Sequence, residues 1–191
     1  GELDDFRAVA TLAHTNQVVA IVMTEGISRV SEGAGAMETF LGHGGVSIPV
    51  IPGASPNPDR SYQAPAKLRS EWRPTAETLN TLLPAPVPSA ERREDIATAL
   101  RPHIRNCTKI SLLVIGPWTS FMRYGSEMLG RVDRIVAQGR PYRDELGGQP
   151  RGFNCDYDQD ACYAAFDLLV GRRHRADPNL RADWVDILGS P

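Results

Sequence analysis

Apolar residues recur at helical spacing over residues 6–13, where Phe6, Val9, Ala10 and Ala13 share one face. That spacing predicts an amphipathic helix opening from Asp4 or Asp5. His14, Thr15, Asn16 and Gln17 then turn the chain. The pattern changes at residues 18–23, a continuous run of Val, Val, Ala, Ile, Val and Met that reads as a strand covered on both faces. Thr24-Glu25-Gly26 ends the run, and Ser28 or Ser31 is placed to cap a helix reaching about Leu41. Gly42, Gly44 and Gly45 break that helix, and residues 46–51 read as a short strand before Pro52-Gly53. Helix, strand, helix, strand, with short apolar strands, predicts a parallel α/β sheet.

The periodic signal collapses over residues 54–89, which carry Pro56, Pro58, Pro65, Pro74, Pro84, Pro86 and Pro88. A loop of this length is either a lid over a site or an irregular surface excursion, and Tyr62 and Trp72 argue that parts of it pack. Ser89 is placed to cap a helix over residues 90–103, with Glu91 and Glu94 suiting its first turns. Residues 109–115 are the clearest strand, ending at Gly116-Pro117-Trp118-Thr119-Ser120. A helix over residues 119–129 follows, then a strand over 132–138 ended by Gly139. Residues 140–151 are again irregular. Asp158 is placed to cap a helix through Ala161, Ala165, Leu168 and Leu169. Arg172, Arg173, His174 and Arg175 make the next stretch basic, and residues 184–188 read as an edge strand or a docking segment. No repeat and no boundary interrupts the chain, so residues 1–191 are expected to form a single α/β domain.

Composition changes little. A chain of 191 residues, 41% hydrophobic and 23% charged, can build an ordinary globular core. A net charge of −2 gives no electrostatic case for nucleic acid or an anionic membrane, and 7% aromatics advertise no base-stacking platform. Cys107, Cys155 and Cys162 cannot form a disulfide framework, and without a CxxC pair they do not suggest zinc. Two states remain for them: three reduced thiols, or one bridge with one thiol left over. No apolar run reaches the length of a membrane span, and no signal peptide opens the sequence, which begins at Gly1 without methionine. Cytoplasmic residence is the resulting expectation.

Chemistry is expected beyond the carboxyl ends of the strands, where open α/β sheets bind ligands. Thr24-Glu25-Gly26, Gly53, Gly116-Pro117 and Gly139-Arg140 all lie at such ends. Asp4 and Asp5 join this set if a strand precedes Gly1. The pair also has a purely structural reading, as acidic residues at a helix start, beside its reading as oxygen ligands for a hard cation.

Six segments occur in an order that resembles the nucleoside hydrolase family (the inosine–uridine preferring enzymes). They are Asp4-Asp5, Thr24-Glu25-Gly26, residues 48–53, Gly116-Pro117-Trp118-Thr119-Ser120, residues 132–136 and Phe153-Asn154-Cys155-Asp156-Tyr157-Asp158. The likeness covers most of residues 1–170. It implies an open Rossmann-like, mostly parallel sheet flanked by helices, whose first strand would precede Gly1 and whose C-terminal part has no counterpart here. It also implies a Ca²⁺-dependent N-ribohydrolase in which the ion holds the ribose diol and the attacking water, and a carboxylate takes the water's proton.

By position, Asp5 resembles the bidentate metal ligand, and Asp4 resembles the carboxylate that bonds a ribose hydroxyl beside the metal. Ile115 lies where a backbone carbonyl reaches calcium. Asn154 and Glu25 fall at sugar-binding positions, and Asp158 at a helix head with a mainly structural role. The family pattern DxDxxxDD puts its water-activating aspartate one position before Gly1. Ile27 and Gly152 depart from the pattern, standing where an asparagine and a glutamate are usual. Asp156 is a further carboxylate nearby, read as a loop residue. His14, His43, His103 and His174 read as surface or structural histidines, and Cys155 lacks a neighbouring base. The arginines at 172, 173 and 175 form either a solvated helix end or a phosphate contact. The expected partner is a nucleoside or another ribosyl small molecule, with homo-oligomerisation open and neither nucleic acid nor membrane indicated. The alternative is a catalytically impaired relative, effector-like, that binds a ribosyl ligand or a partner protein in a host cytoplasm.

Overall fold

A computed structural model of the chain describes residues 3–15, 18–56, 71–83, 95–138, 152–175 and 181–185, with side chains described up to residue 169. The chain divides into two compact units, one built from described residues up to Arg105 and the other from Asn106 onward. Every strand pairing among the described residues is parallel, and helices intervene between the paired strands, so the chain is α/β.

In the first unit, α1 (Leu3–Thr15) buries Phe6 and Val9, two of the four residues of the expected stripe. Asp4 and Asp5 lie within its first turn, where negative charge meets the unpaired N–H groups and the positive end of the dipole. Strand β1 is only Ile21–Met23, and all three residues are half-buried. The expected strand over 18–23 is therefore shorter and less covered than its composition suggests. Its length is set by its partner β2 (Val50–Pro52), which pairs in the register Ile21 to Val50 through Met23 to Pro52. Only the last part of the expected strand at 46–51 is used, because pairing begins at Val50.

Between these strands runs α2 (Val30–His43), preceded by Arg29 without a side-chain cap. Ser28 and Ser31 therefore do not cap it: Ser28 is buried and accepts a hydrogen bond from Asn80, and Ser31 lies inside the helix. Gly42 is taken into the helix, and Gly44 and Gly45 end it, with Gly45 at φ 65. That left-handed conformation is one that glycine adopts without steric penalty. Phe6, Val9, Ala34, Ala36, Met37, Leu41 and Val50 form the core, with the Phe6 and Phe40 rings edge-on at 5.0 Å. Each large side chain buried there contributes about 1.5–3 kcal/mol.

Residues 71–83 correct the expectation of an irregular stretch. They contain α3 (Arg73–Leu82), with Pro74 in the first turn and Ala76 and Asn80 buried one helical turn apart. Pro74 starts this helix, since a first-turn proline lacks only an N–H that would have no helical partner anyway. The half-buried Trp72 immediately precedes it. Helix α4 (Ile96–Ile104) is capped by Asp95, whose carboxylate accepts from Thr98 N at 3.3 Å. Asp95 thus holds the capping role expected of Ser89, which lies outside the described residues, as do Tyr62, Glu91 and Glu94.

The second unit follows its sequence pattern closely. Strand β3 (Ile110–Val114) leads through Gly116–Ser120 into α5 (Phe121–Met128), and β4 is Val132–Gln138. After residues 139–151, which lie outside the description, come α6 (Phe153–Tyr157), α7 (Gln159–Arg175) and β5 (Arg181–Val185). The strand order is β3-β4-β5, all parallel, so among the described residues 181–185 form an edge strand, beginning three residues before the expected span 184–188, of which 186–188 lie outside the description. Trp118, Phe121, Ile135, Cys155, Cys162 and Ala165 are almost completely buried. The Trp118, Phe121 and Tyr124 rings follow one another edge-on at 5.3 and 5.7 Å. Among the described residues, no helix is long and apolar enough to cross a membrane.

Candidate functional site

Strand β3 delivers the first half of the site in the second unit. Its last residue, Val114, is buried, and the chain then passes through Ile115 and Gly116 toward α5. The Ile115 carbonyl therefore leaves the sheet at the carboxyl end of the strand, free of ladder geometry. Asn154, in the first turn of α6, donates from Nδ2 to that carbonyl at 2.9 Å. Two residues assigned separately to the metal and to the sugar are thus in direct contact across 39 positions of sequence. A carboxamide has two N–H donors and an acceptor oxygen, and a carbonyl oxygen has two lone pairs. One bond uses a single donor and a single lone pair, so each group keeps capacity for a ligand.

The turn between α6 and α7 is built around Asp158. Its Oδ1 accepts from Ala161 N at 3.1 Å, and its Oδ2 accepts from Thr119 Oγ1 at 2.6 Å. Asp158 therefore caps α7, as the sequence indicates, and also ties that helix to the loop after β3. A carboxylate accepting a backbone N–H at a helix start gains from both the bond and the dipole. Asp156 is half-buried in the same short helix.

Cys155 and Cys162 form a disulfide with a Cα–Cα separation of 5.2 Å, leaving Cys107 as a free thiol. Of the two states open to the cysteines, the structure shows the bridged one. Cys155 is 0% exposed and Cys162 1%, so the bridge lies in the core, one residue from Asn154 and on either side of Asp158.

In the first unit, the parallel pairing sets two of the expected junctions side by side. Gly53 N donates to Met23 O at 2.9 Å, and Glu25 N donates to Ala54 O at 3.1 Å. Arg73, at the start of α3, closes over this end of the pair. Its Nη2 lies 3.3 Å from Glu25 Oε1 and 3.0 Å from the Gly26 carbonyl, and its Nε donates to the Ile27 carbonyl at 3.1 Å. Asn80 Nδ2 reaches Ser28 Oγ at 3.2 Å. The loop from Glu25 to Ser28 is thereby held by α3, and the Glu25 carboxylate is engaged by a guanidinium. On α1, Asp4 is exposed and Asp5 half-buried.

The structure thus sorts the expected residues into two sets: Asp4, Asp5 and Glu25 in the first unit, and Ile115 and Asn154 in the second. Among the described residues, no group of three or more His, Cys, Asp or Glu side chains could hold a metal ion. The donors expected for calcium are nevertheless of the right kind, carboxylate and carbonyl oxygen. His14, His43 and His103 are exposed, as expected of surface residues, and the side chain of His174 is outside the description.

Three contributors were not legible as site residues: Arg73, Asn80 and the cysteine bridge. The signal for Arg73 is its place directly before a helix-starting proline. Nothing in the sequence names its targets, which lie 46 to 48 positions away. No protein-family model matches the sequence, and no curated protein matches it either.

Proposed function

We propose that the chain is a nucleoside-hydrolase-like α/β protein that cleaves the N-glycosidic bond of ribonucleosides. The observation that supports this reading is the 2.9 Å bond between Asn154 and the Ile115 carbonyl. Sequence resemblance assigns these residues to the sugar and to calcium, and folding brings them together at a strand's carboxyl end, where α/β proteins bind ligands. Asn154 would orient a ribose hydroxyl with its remaining donor and acceptor, and Asp4 would accept from a second hydroxyl. By the resemblance, the donors for Ca²⁺ are Asp5 and Asp4 in the first unit and the Ile115 carbonyl in the second; the ion, when bound, would supply a hard Lewis acid that acidifies a water. Glu25, held by Arg73, would border the sugar.

The test is ribose release from inosine, uridine or a nitrophenyl riboside. The expected result is release that disappears on Asp5→Ala or on chelation. Absence of turnover would overturn the hydrolytic reading, and absence of saturable nucleoside binding as well would overturn the ribosyl site itself.

One observation favours a second reading, a catalytically impaired relative that only binds a ribosyl ligand or a partner protein. The Glu25 carboxylate is paired with Arg73 at 3.3 Å, so an expected sugar contact has another engagement. Saturable binding without turnover would select this reading. Cytoplasmic residence, in the cell of origin or in a host, remains part of the proposal. It would require Cys155 and Cys162 to be thiols there, since disulfides persist in oxidising compartments.

A further inference from the structure

We propose that the Cys155–Cys162 disulfide is a positioning device for Asn154, so that ligand contact at the end of β3 depends on the redox state of the bridge. The functional half of this inference rests on the reading of Asn154 as a ribosyl contact; the positioning half does not.

The argument starts from the length of α6. Phe153–Tyr157 is five residues, little more than one turn, and such a segment has too few internal hydrogen bonds to hold itself. Two cap bonds run from Cys155 N and Asp156 N to Gly152 O, both 3.0 Å. A Phe153–Tyr157 ring contact at 5.6 Å adds a local brace. Tertiary anchoring must supply the rest. At the far end, Asp158 fastens the turn to Ala161 and Thr119. At its middle residue, Cys155, adjacent to Asn154, the segment is covalently bonded to Cys162 in the first turn of α7. Asn154 lies on the N-terminal side of both anchors, and its carboxamide is seated by the bond to Ile115. With the bridge open, α6 would lose its covalent tie to α7, the one next to Asn154. The Asn154 carboxamide would then reach the Ile115 carbonyl for a smaller fraction of time.

Opening the bridge takes two electrons and two protons from a dithiol reductant. One thiolate of the reductant attacks a cysteine sulfur, breaking the Cys155–Cys162 bond and forming a mixed disulfide. Its second thiol displaces the protein sulfur, leaving two cysteine thiols and a cyclic disulfide of the reductant. Because both sulfurs are buried, the reductant reaches them only through a transient local opening.

The experiment compares four forms of the 191-residue chain: the oxidised protein, Cys155→Ala/Cys162→Ala, Asn154→Ala, and the triple variant. The side-chain amide signal of Asn154, assigned by its loss in Asn154→Ala, is followed by nitrogen-15 NMR and hydrogen exchange. D-ribose affinity is measured on all four. The cysteine pair variant should keep its secondary structure, shift the Asn154 amide signal and lose its exchange protection. It should also bind D-ribose about two- to tenfold more weakly, the worth of one hydrogen bond. In the Asn154→Ala background, removing the bridge should weaken binding no further. An unchanged Asn154 signal, or an equal loss of affinity with and without Asn154, overturns the proposal.

If the pair variant does not fold, the oxidised protein is reduced and re-bridged through a single methylene. Restored Asn154 protection supports positioning by the cross-link, and failure to restore it overturns it. D-ribose binding to none of the forms refutes the functional reading alone, since the Asn154 signal still decides the positioning half.

Discussion

Asn154 and Ile115 are joined by a hydrogen bond of 2.9 Å that links the five-residue helix α6 to the chain just past the end of β3. The bond satisfies a carbonyl that β3 no longer pairs, and it seats a carboxamide that is 8% exposed. Replacing Asn154 with Ala should leave that carbonyl without its protein donor. The expected cost is about 1–3 kcal/mol, read as a lower urea midpoint with an unchanged m value.

The bridge beside Asn154 closes a short loop, with a sequence separation of 7. In the chain-entropy picture, a loop of this size contributes about 2.5 kcal/mol. The Cys155→Ala/Cys162→Ala variant should melt roughly 5–10 °C lower. Calorimetry of the variant against the oxidised protein measures this directly, and equal melting temperatures would show that the bridge adds no stability.

Gly125 faces the Phe121 ring within α5. A Cβ at Gly125 would lie 2.6 Å from Phe121 Cζ, inside any tolerated contact. Phe121 is 2% exposed and held edge-on by Trp118 and Tyr124, so it cannot swing aside freely. Ordinarily Gly→Ala gains about 1 kcal/mol in a helix interior. Here overpacking should outweigh that gain, for a net loss of about 1–2 kcal/mol. A more stable Gly125→Ala protein in chemical denaturation would contradict the packing described for α5.

Arg73 serves Glu25 and two carbonyls at once through a planar fork. Lysine is a point charge on a flexible stem and cannot reproduce that geometry. Both Arg73→Lys and Arg73→Ala should therefore loosen the Glu25–Ser28 loop, with Arg73→Ala costing about 1.5–3 kcal/mol. Glu25→Gln should cost less than about 1 kcal/mol, because the pair is partly solvated and the carbonyl bonds persist. Amide exchange of Gly26 and Ile27 separates the cases: it should rise in both Arg73 variants and stay near wild type in Glu25→Gln.

Burial raises the Tyr124 hydroxyl well above its ordinary value of 10.0. The folded state therefore binds that proton more tightly than the unfolded chain does. The associated stability is complete below about pH 10 and falls as pH rises beyond it, by up to about 1.4 kcal/mol per unit. Tyr124→Phe keeps the ring and removes the proton. Urea unfolding between about pH 9 and pH 11.5 should give a shallower decline for Tyr124→Phe, by one proton's worth. Parallel declines would place the hydroxyl in contact with water.

The elements that the sequence made legible are those whose stability is local. Residues 132–138, with Val132, Ile135 and Val136, are followed by glycine, and they form β4 over the same span. Asp158 caps α7 because its acceptor geometry needs only residues three positions on. What escaped detection depends on partners distant in sequence. Residues 18–23 have one composition throughout, but only Ile21–Met23 find β2 opposite them. Pro74 carries the same letter as the breakers around it, and its helix-starting role follows from the buried positions at Ala76 and Asn80. The site divides in the same way. Asn154 and Ile115 could be marked singly from the resemblance, but their contact spans 39 positions and required the fold. Arg73, whose targets lie on another element, could not be marked at all.

The most direct test of the functional account is the rate of ribose release from inosine and uridine by the wild-type chain and by Asn154→Ala, with calcium present. The account expects one ribose per base released by the wild type, and a rate at least about tenfold lower for Asn154→Ala. Equal rates for the two proteins would remove Asn154 from the site. No ribose release and no saturable binding of either nucleoside would contradict the account as a whole.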